Sequence, residues 1–143
     1  MDGEPLDSRR ELPQMSVELS VERLAALVLL LTCLSHITAP KAWAALFEAI
    51  RTSAAPGLGN AAIHLPLGLL LVAFHNVWAG AAVVFTLIGW ALLVKGALHL
   101  MFPQLAGRSL KLAGTGEQAG SRYRLAGLLM LPLAAALMWL AFG

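Results

Sequence analysis

Four stretches of the sequence are each about long enough and apolar enough to cross a lipid bilayer as a helix. A spanning helix needs ~20 mostly apolar residues at a rise of 1.5 Å per residue. The four runs are residues 21–38, 61–79, 81–102 and 124–142. Because none alternates with a period of two, they predict helices and not barrel strands. We therefore expect an all-α membrane protein, with a polar tail over 1–20 and a single four-helix transmembrane domain over 21–142.

Composition excludes several other classes of protein. Hydrophobic residues make up 59% of the chain and charged residues 13%, whereas soluble domains have roughly 45–50% and about 25%. An ordinary soluble enzyme and a disordered chain are therefore excluded. A net charge of +2 is too small for a nucleic-acid binder. The single cysteine, Cys33, excludes an internal disulfide.

The segment between the first two predicted spans reads as a short amphipathic helix over 41–52. Its apolar residues Trp43, Leu46, Phe47 and Ile50 recur at the spacing of one helix face. The segment is too short and too charged to span, so we expect an interfacial helix that lies at the acyl boundary. A connector packed on the helix bundle would show the same pattern and remains the alternative.

The remaining connections differ in length. Residues 53–60 are rich in helix breakers, and 103–123 read as a basic, glycine-rich flexible linker. Residues 79–81 leave almost no chain between the second and third spans. We therefore expect a tight antiparallel hairpin in which Gly80 adopts an unusual backbone conformation.

Lysine and arginine counts predict the orientation, because basic loops favour the cytoplasmic side. The connections over 40–60 and 103–124 hold six of these residues: Lys41, Arg51, Arg108, Lys111, Arg122 and Arg124. The opposite side holds only Arg9, Arg10 and Arg23, in a tail that is acidic on balance. Both termini are therefore expected outside and both long connections in the cytoplasm.

Small residues spaced seven apart mark two predicted packing faces. The third span carries Ala82, Gly89 and Gly96 with Thr86 on the same seam, and the fourth carries Gly127, Ala134 and Ala141. Small residues let membrane helices approach closely, and heptad spacing favours left-handed packing. We expect both faces to be buried against helices of this chain or of a partner.

Three histidines are candidate metal ligands, because ionisable side chains are costly in a membrane. Antiparallel threading places His36, His64 and His99 near one membrane face, with Cys33 one turn from His36. Zinc or copper would accept such a set. The alternative is that each histidine caps helix-end carbonyls or contacts lipid headgroups, while Lys95 snorkels to the same face.

His75 lies near the opposite face and is the candidate ligand of a haem or chlorophyll, with Trp78 as a stacking ring. The alternative is that His75 and Asn76 bond to backbone groups around the 79–81 turn, while Trp78 anchors the turn at headgroup level.

Residues 65–78 (LPLGLLLVAFHNVW) and 86–103 (TLIGWALLVKGALHLMFP) carry a recognisable pattern, G-L-x-x-x-x-x-H-N-x-W followed by T-L-x-G-W-x-x-L-x-K-G. It resembles that of small bacterial integral membrane proteins of uncharacterised function, over roughly a quarter of the chain. The resemblance implies a bacterial inner membrane and a two-helix hairpin unit, so the termini expected outside from the basic-residue counts would be periplasmic. It marks His75, Asn76, Trp78, Gly89, Trp90, Lys95 and Gly96, and it implies no substrate and no cofactor.

The sequence contains no recognisable catalytic set, since Glu48 is the only acid between residues 23 and 116. We therefore expect a non-enzymatic accessory or structural subunit of a larger inner-membrane complex. Its partners would be lipids and other membrane subunits or further copies of itself. The alternative is a membrane protein that binds a metal, haem or (bacterio)chlorophyll through histidine.

Overall fold

The computed structural model describes residues 8–113 and 118–143, with the side chains of 17–111 and 118–143. This part of the chain is helical and contains no strand. The helices are α1 (Ser8–Thr38), α2 (Pro40–Thr52), α3 (Pro56–Phe74), α4 (Val83–Met101), α5 (Pro103–Ala113) and α6 (Ala119–Phe142). Three of them, α3, α4 and α6, are long and apolar enough to cross a membrane. Residues 21–38, predicted as a fourth span, form the second half of α1.

Helices α3 and α4 form one antiparallel pair whose backbones approach closely at glycines. A Cβ atom at Gly68 would lie 2.5 Å from the Leu93 backbone nitrogen, and one at Gly89 would lie 2.6 Å from Leu71 Cβ. At Gly96 the same atom would lie 2.9 Å from a methyl carbon of Leu65. These distances are shorter than side chains allow, so glycine is what permits this approach.

Helices α1 and α6 form the second antiparallel pair. The Arg23 side chain, near the middle of α1, donates a 3.1 Å hydrogen bond to the Ala141 carbonyl at the end of α6. Further along, a Cβ at Gly127 would lie 2.8 Å from the Cys33 carbonyl oxygen. Ala134 and Ala141 are also buried, whereas Ala82 lies half-buried just before α4.

The two pairs join around a small hydrophobic core at the end of the molecule that contains the α3–α4 connection, residues 75–82, which we call the hairpin end. Leu71 and Phe85 from one pair are fully buried with Ala26 of the other, and the remaining members of the core are Val21, Ala25, Leu137 and Ala141. At the opposite end, the capped end, α2 packs on α6 and α5 packs on α3 and α4.

The α3–α4 connection is longer than the sequence predicts. The second span was expected over 61–79, but α3 begins at Pro56 and ends at Phe74, so the tight 79–81 hairpin is wrong. Proline is favoured in a first helical turn, which explains the early start. The end falls at His75, whose backbone is extended. Gly80 does adopt the left-handed conformation, with φ of 62°.

The predicted linker over 103–123 is also wrong in the part that the structure describes. Helix α5 occupies Pro103–Ala113 and α6 begins at Ala119, while residues 114–117 lie outside the described part. Ala106 and Leu110, four residues apart, are buried, so α5 exists because one face packs on the bundle. Similarly, α1 begins at Ser8, within the expected polar tail.

Helix α2 forms close to its predicted bounds, and its apolar face packs on protein. The Trp43 indole N–H donates a 2.8 Å hydrogen bond to Ser35 Oγ of α1. A Cβ at Gly59 of α3 would lie 2.9 Å from Ile50 Cγ2. These contacts favour the connector alternative. On another face, Arg51 Nε donates a 2.8 Å hydrogen bond to Glu48, and this guanidinium lowers the pKa of the Glu48 carboxyl.

Candidate binding cavity between the helix pairs

The two helix pairs leave between them a cavity of about 460 Å³ that is partly open to the outside. This volume falls within the ~300–1,000 Å³ range of small-molecule sites in proteins. All four long helices line it, and α2 and α5 contribute residues at the capped end. The pairs share the core at the hairpin end, and α2 bridges them at the capped end through its contacts with α6 and α3. The cavity lies between these two contact regions.

The half of the cavity nearer the hairpin end is apolar. Its lining there includes Val28 of α1, Leu67 of α3, Ile88 of α4, and Leu133 and Leu137 of α6. Such a surface offers no directional bonds and favours a hydrocarbon chain or ring.

The capped end of the cavity carries a lysine–histidine pair. His64 Nδ1 lies 2.9 Å from the Asn60 carbonyl oxygen, which can only accept, so this nitrogen carries the proton. His64 Nε2 therefore presents its lone pair, and the Lys95 ammonium donates to it over 2.9 Å. The histidine orients the cation without neutralising it.

Two further polar atoms at this end have no hydrogen-bond partner within the described residues. They are the Asn60 side-chain oxygen and the Tyr123 hydroxyl. Asn60 is 3% exposed and Tyr123 is 6% exposed, and both residues line the cavity. A buried unsatisfied polar group costs about 1–3 kcal/mol, so a hydrogen-bond partner for either atom would be stabilising.

Aromatic side chains close the capped end. His36 stacks on Trp43 with ring centroids 4.2 Å apart, and Phe47 stacks on Tyr123 at 5.4 Å. Trp43 and Phe47 also contact each other, at 5.7 Å. The cluster joins the end of α1, the face of α2 and the start of α6, and its rings form part of the cavity wall at this end.

The structure gives the three candidate metal ligands separate partners. His36 bonds through Nδ1 to the Thr32 carbonyl oxygen at 2.8 Å, and His99 Nε2 lies 3.2 Å from Ser109 Oγ. His64 is engaged by Asn60 and Lys95 as above. Within the described part of the chain, no three His, Cys, Asp or Glu side chains are grouped closely enough to hold a metal ion. Cys33 is buried.

His75 is fully buried at the hairpin end, and both of its ring nitrogens are engaged. Nδ1 lies 3.0 Å from Thr86 Oγ1 and Nε2 lies 2.7 Å from a Glu22 carboxylate oxygen. Thr86 in turn donates to the Val77 carbonyl at 2.7 Å. A haem or chlorophyll metal would have to displace one of these partners.

Trp78 and Asn76 lie outside this network. The Trp78 indole N–H donates a 2.7 Å hydrogen bond to Asn76 Oδ1, and the Trp78 side chain is 59% exposed. The described contacts include none between Trp78 and His75, and an exposed indole in the connection between α3 and α4 is compatible with an interfacial anchor.

Sequence reasoning did not identify Glu22, Thr86, Asn60 or Tyr123 as site residues. Glu22 lies 53 residues before His75, so only the folded chain pairs them. Its one sequence signal was an acid at the edge of an apolar run. Asn60 and Tyr123 were assigned to a linker and to a loop. Their burial follows from the early starts of α3 and α6.

No protein-family description matches this chain, and no match is found among curated proteins or among solved structures.

Proposed function

We propose that the chain is a four-span membrane protein of a bacterial inner membrane and acts by binding, as a non-enzymatic accessory protein. In this proposal it holds an apolar molecule between its two helix pairs. The observation that carries the proposal is the cavity of about 460 Å³, lined by all four long helices and apolar over most of its wall.

The packing of α1 supports a fourth span. Arg23 bonds to Ala141 at one end of the α1–α6 pair, and Cys33 contacts Gly127 toward the other. A membrane that covers residues 127–141 of α6 therefore covers 23–33 of α1 as well. Most of the large exposed side chains along this part of α1 are leucines, including Leu24, Leu27, Leu31 and Leu34. Contact with lipid requires such apolar side chains.

The extent of the cavity supports a membrane-embedded ligand. On α1 it reaches from Ala25 to His36, about 16 Å at the helical rise. This is roughly half of the ~30 Å hydrocarbon thickness. On α6 the lining runs from Tyr123 to Leu137, about 21 Å. The cavity is thus deep enough for a membrane-embedded chain, with its polar end at the capped end.

The proposal includes an orientation in the membrane and a class of partner. We place both termini and the hairpin end in the periplasm, on the basic-residue counts, and we expect association with other membrane subunits or with further copies of this chain. These assignments rest on the sequence argument.

Native mass spectrometry of the protein purified in a mild detergent tests the binding function. Wild-type protein should retain a bound apolar molecule, and Ala126→Phe should lose it because Ala126 lines the cavity. Ala135→Phe is the matched control, since Ala135 is exposed on the same helix. Equal occupancy in the two variants would contradict the proposal. The same spectra report any co-purified subunits.

A further inference from the structure

We propose that the capped end of the cavity binds the anionic head group, a carboxylate or a phosphate, of a single-chain amphiphile. The chain of the amphiphile would lie in the apolar half, toward the hairpin end. This inference rests on the proposed binding function and adds the chemistry of the ligand.

Charge is the first argument. Lys95 lines the cavity, and the described residues around it include no aspartate or glutamate. The only nearby acid on α2, Glu48, is paired with Arg51. His64 orients the ammonium through a lone pair and adds no negative charge. Lys95 is an exposed residue that also lines the cavity. Its ammonium has no carboxylate partner among the described contacts, so an anionic oxygen in the cavity would add a charge-assisted hydrogen bond.

The unpartnered polar atoms are the second argument. The Tyr123 hydroxyl can donate to a head-group oxygen, and the Asn60 side-chain oxygen can accept from a protonated acid or a hydroxyl. Both atoms are buried at the same end of the cavity as Lys95. Three residues with polar side chains, from α3, α4 and α6, therefore line one end of a largely apolar space, as in sites that fix the polar part of an apolar ligand.

The direction of the ligand follows from the fold. The polar end lies where the spans meet α2 and α5, and the apolar end lies toward the hairpin end. An amphiphile would thus take the orientation that it has in a bilayer leaflet. Neutral amphiphiles would occupy the apolar half without the contribution of Lys95.

Binding of matched probes to purified protein in nanodiscs tests the head-group assignment. The probes are laurate, dodecyl phosphate and dodecanol, which share one chain, and inorganic phosphate, which has none. We expect both anionic amphiphiles to bind about tenfold more tightly than dodecanol, a difference of roughly 1.4 kcal/mol. A preference between laurate and dodecyl phosphate identifies which anionic head the site favours.

Variants at Lys95 distinguish recognition of the anionic head group from binding of an apolar molecule in the cavity. Lys95→Met should lower the affinities for laurate and dodecyl phosphate to that for dodecanol. Lys95→Arg should keep the preference for the two anionic amphiphiles. Lys111→Met, which removes an exposed cation of α5 outside the cavity, should leave all affinities unchanged.

Three outcomes would overturn these claims in different ways. Equal affinities for charged and neutral heads, or no effect of Lys95→Met, would overturn the head-group assignment alone. Failure of every amphiphile to bind would overturn the proposed function, and the inference with it. Binding of inorganic phosphate as tightly as dodecyl phosphate would retain the anion site and remove the apolar ligand.

Discussion

The imidazole ring of His75 connects three parts of the fold, because it bonds to Glu22 of α1 and to Thr86 of α4 from the end of α3. Thr86 also accepts from the Val77 N–H at 3.2 Å and donates to the Val77 carbonyl. The side chain therefore holds the non-helical connection against the helices and ties the two helix pairs together at their common end.

Replacement of His75 by alanine should destabilise the protein by about 2 kcal/mol, because Glu22 and Thr86 would lose a buried partner. Asn76→Ala is the matched control, since Asn76 is exposed and bonds only to Trp78 among the described contacts. It should stay within about 0.5 kcal/mol of wild type. Unfolding titrations in mixed micelles measure both. Equal losses in the two variants would show that the network contributes nothing.

The capping alternative predicts that His75 is held by hydrogen bonds, but it assigns the wrong partners. Backbone groups of the turn were expected, whereas the structure supplies a carboxylate from 53 residues away and a hydroxyl from 11 residues away. Local spacing carries information about neighbours on one helix. Local spacing carries no information about which other helix packs opposite. The identity of that helix decides the hydrogen-bond partners of His75.

Helix α3 and helix α4 are held close by glycines that face backbone atoms of the other helix. At Gly68 the atom that an added Cβ would meet is the Leu93 backbone nitrogen. Backbone cannot turn away as a flexible side chain can, so the whole helix would have to move.

Gly68→Ala should therefore destabilise the protein by about 1–3 kcal/mol through overpacking. Gly107→Ala should stabilise it by up to about 1 kcal/mol, because alanine favours helix over glycine. Gly107 lies within α5, and nothing would lie within 4 Å of its added Cβ. Thermal unfolding of both variants tests the contrast. Destabilisation of both by the same amount would mean that close packing of α3 on α4 is not the cause.

The elements themselves were largely predictable, because the apolar runs are long and helices are what a membrane allows. The first and last residues of the helices were less predictable. Helix α3 is displaced by five residues at both ends relative to 61–79, and α5 replaces part of a predicted linker. Each error has a tertiary origin. The side-chain network of His75 lies where α3 ends, and burial of Ala106 and Leu110 stabilises a segment that reads as flexible.

The molecule as a whole consists of two antiparallel pairs joined at one end and capped at the other. Its cavity could not be predicted from the sequence, because it depends on how far the pairs diverge. Lys95 illustrates this. The sequence allowed it to reach the membrane face, and in the structure it is an exposed residue that also lines the cavity.

Four spans place the N-terminus and the C-terminus on the same side of the membrane, whereas three would place them on opposite sides. Reporter tags at the two ends should therefore give the same accessibility in intact cells. Opposite accessibility would show that α1 does not cross.

Cysteine labelling in a Cys33→Ala background tests the orientation. With the hairpin end in the periplasm, Ala79→Cys should react with an impermeant thiol reagent in intact cells, and Ser53→Cys only after permeabilisation. Both positions are exposed, at opposite ends of the molecule. The reverse pattern would invert the orientation and leave the cavity unchanged.

The central claim is that an amphiphile lies in the cavity with its head at the capped end, and quenching of Trp43 tests it most directly. Trp43 lines the cavity, whereas Trp139 is 75% exposed. Variants that keep only one of these two tryptophans, with phenylalanine at the other three positions, would be titrated with a fatty acid brominated near its carboxylate or near its chain end.

We expect the head-brominated acid to quench Trp43 saturably and more strongly than the chain-brominated acid, and Ala126→Phe to abolish the saturable part. Trp139 should show only non-saturating quenching, which rises with the amount of brominated acid in the surrounding lipid. Trp43 quenching that never saturates and parallels that of Trp139 would contradict an occupied cavity. Stronger quenching by the chain-brominated acid would contradict the direction of the ligand.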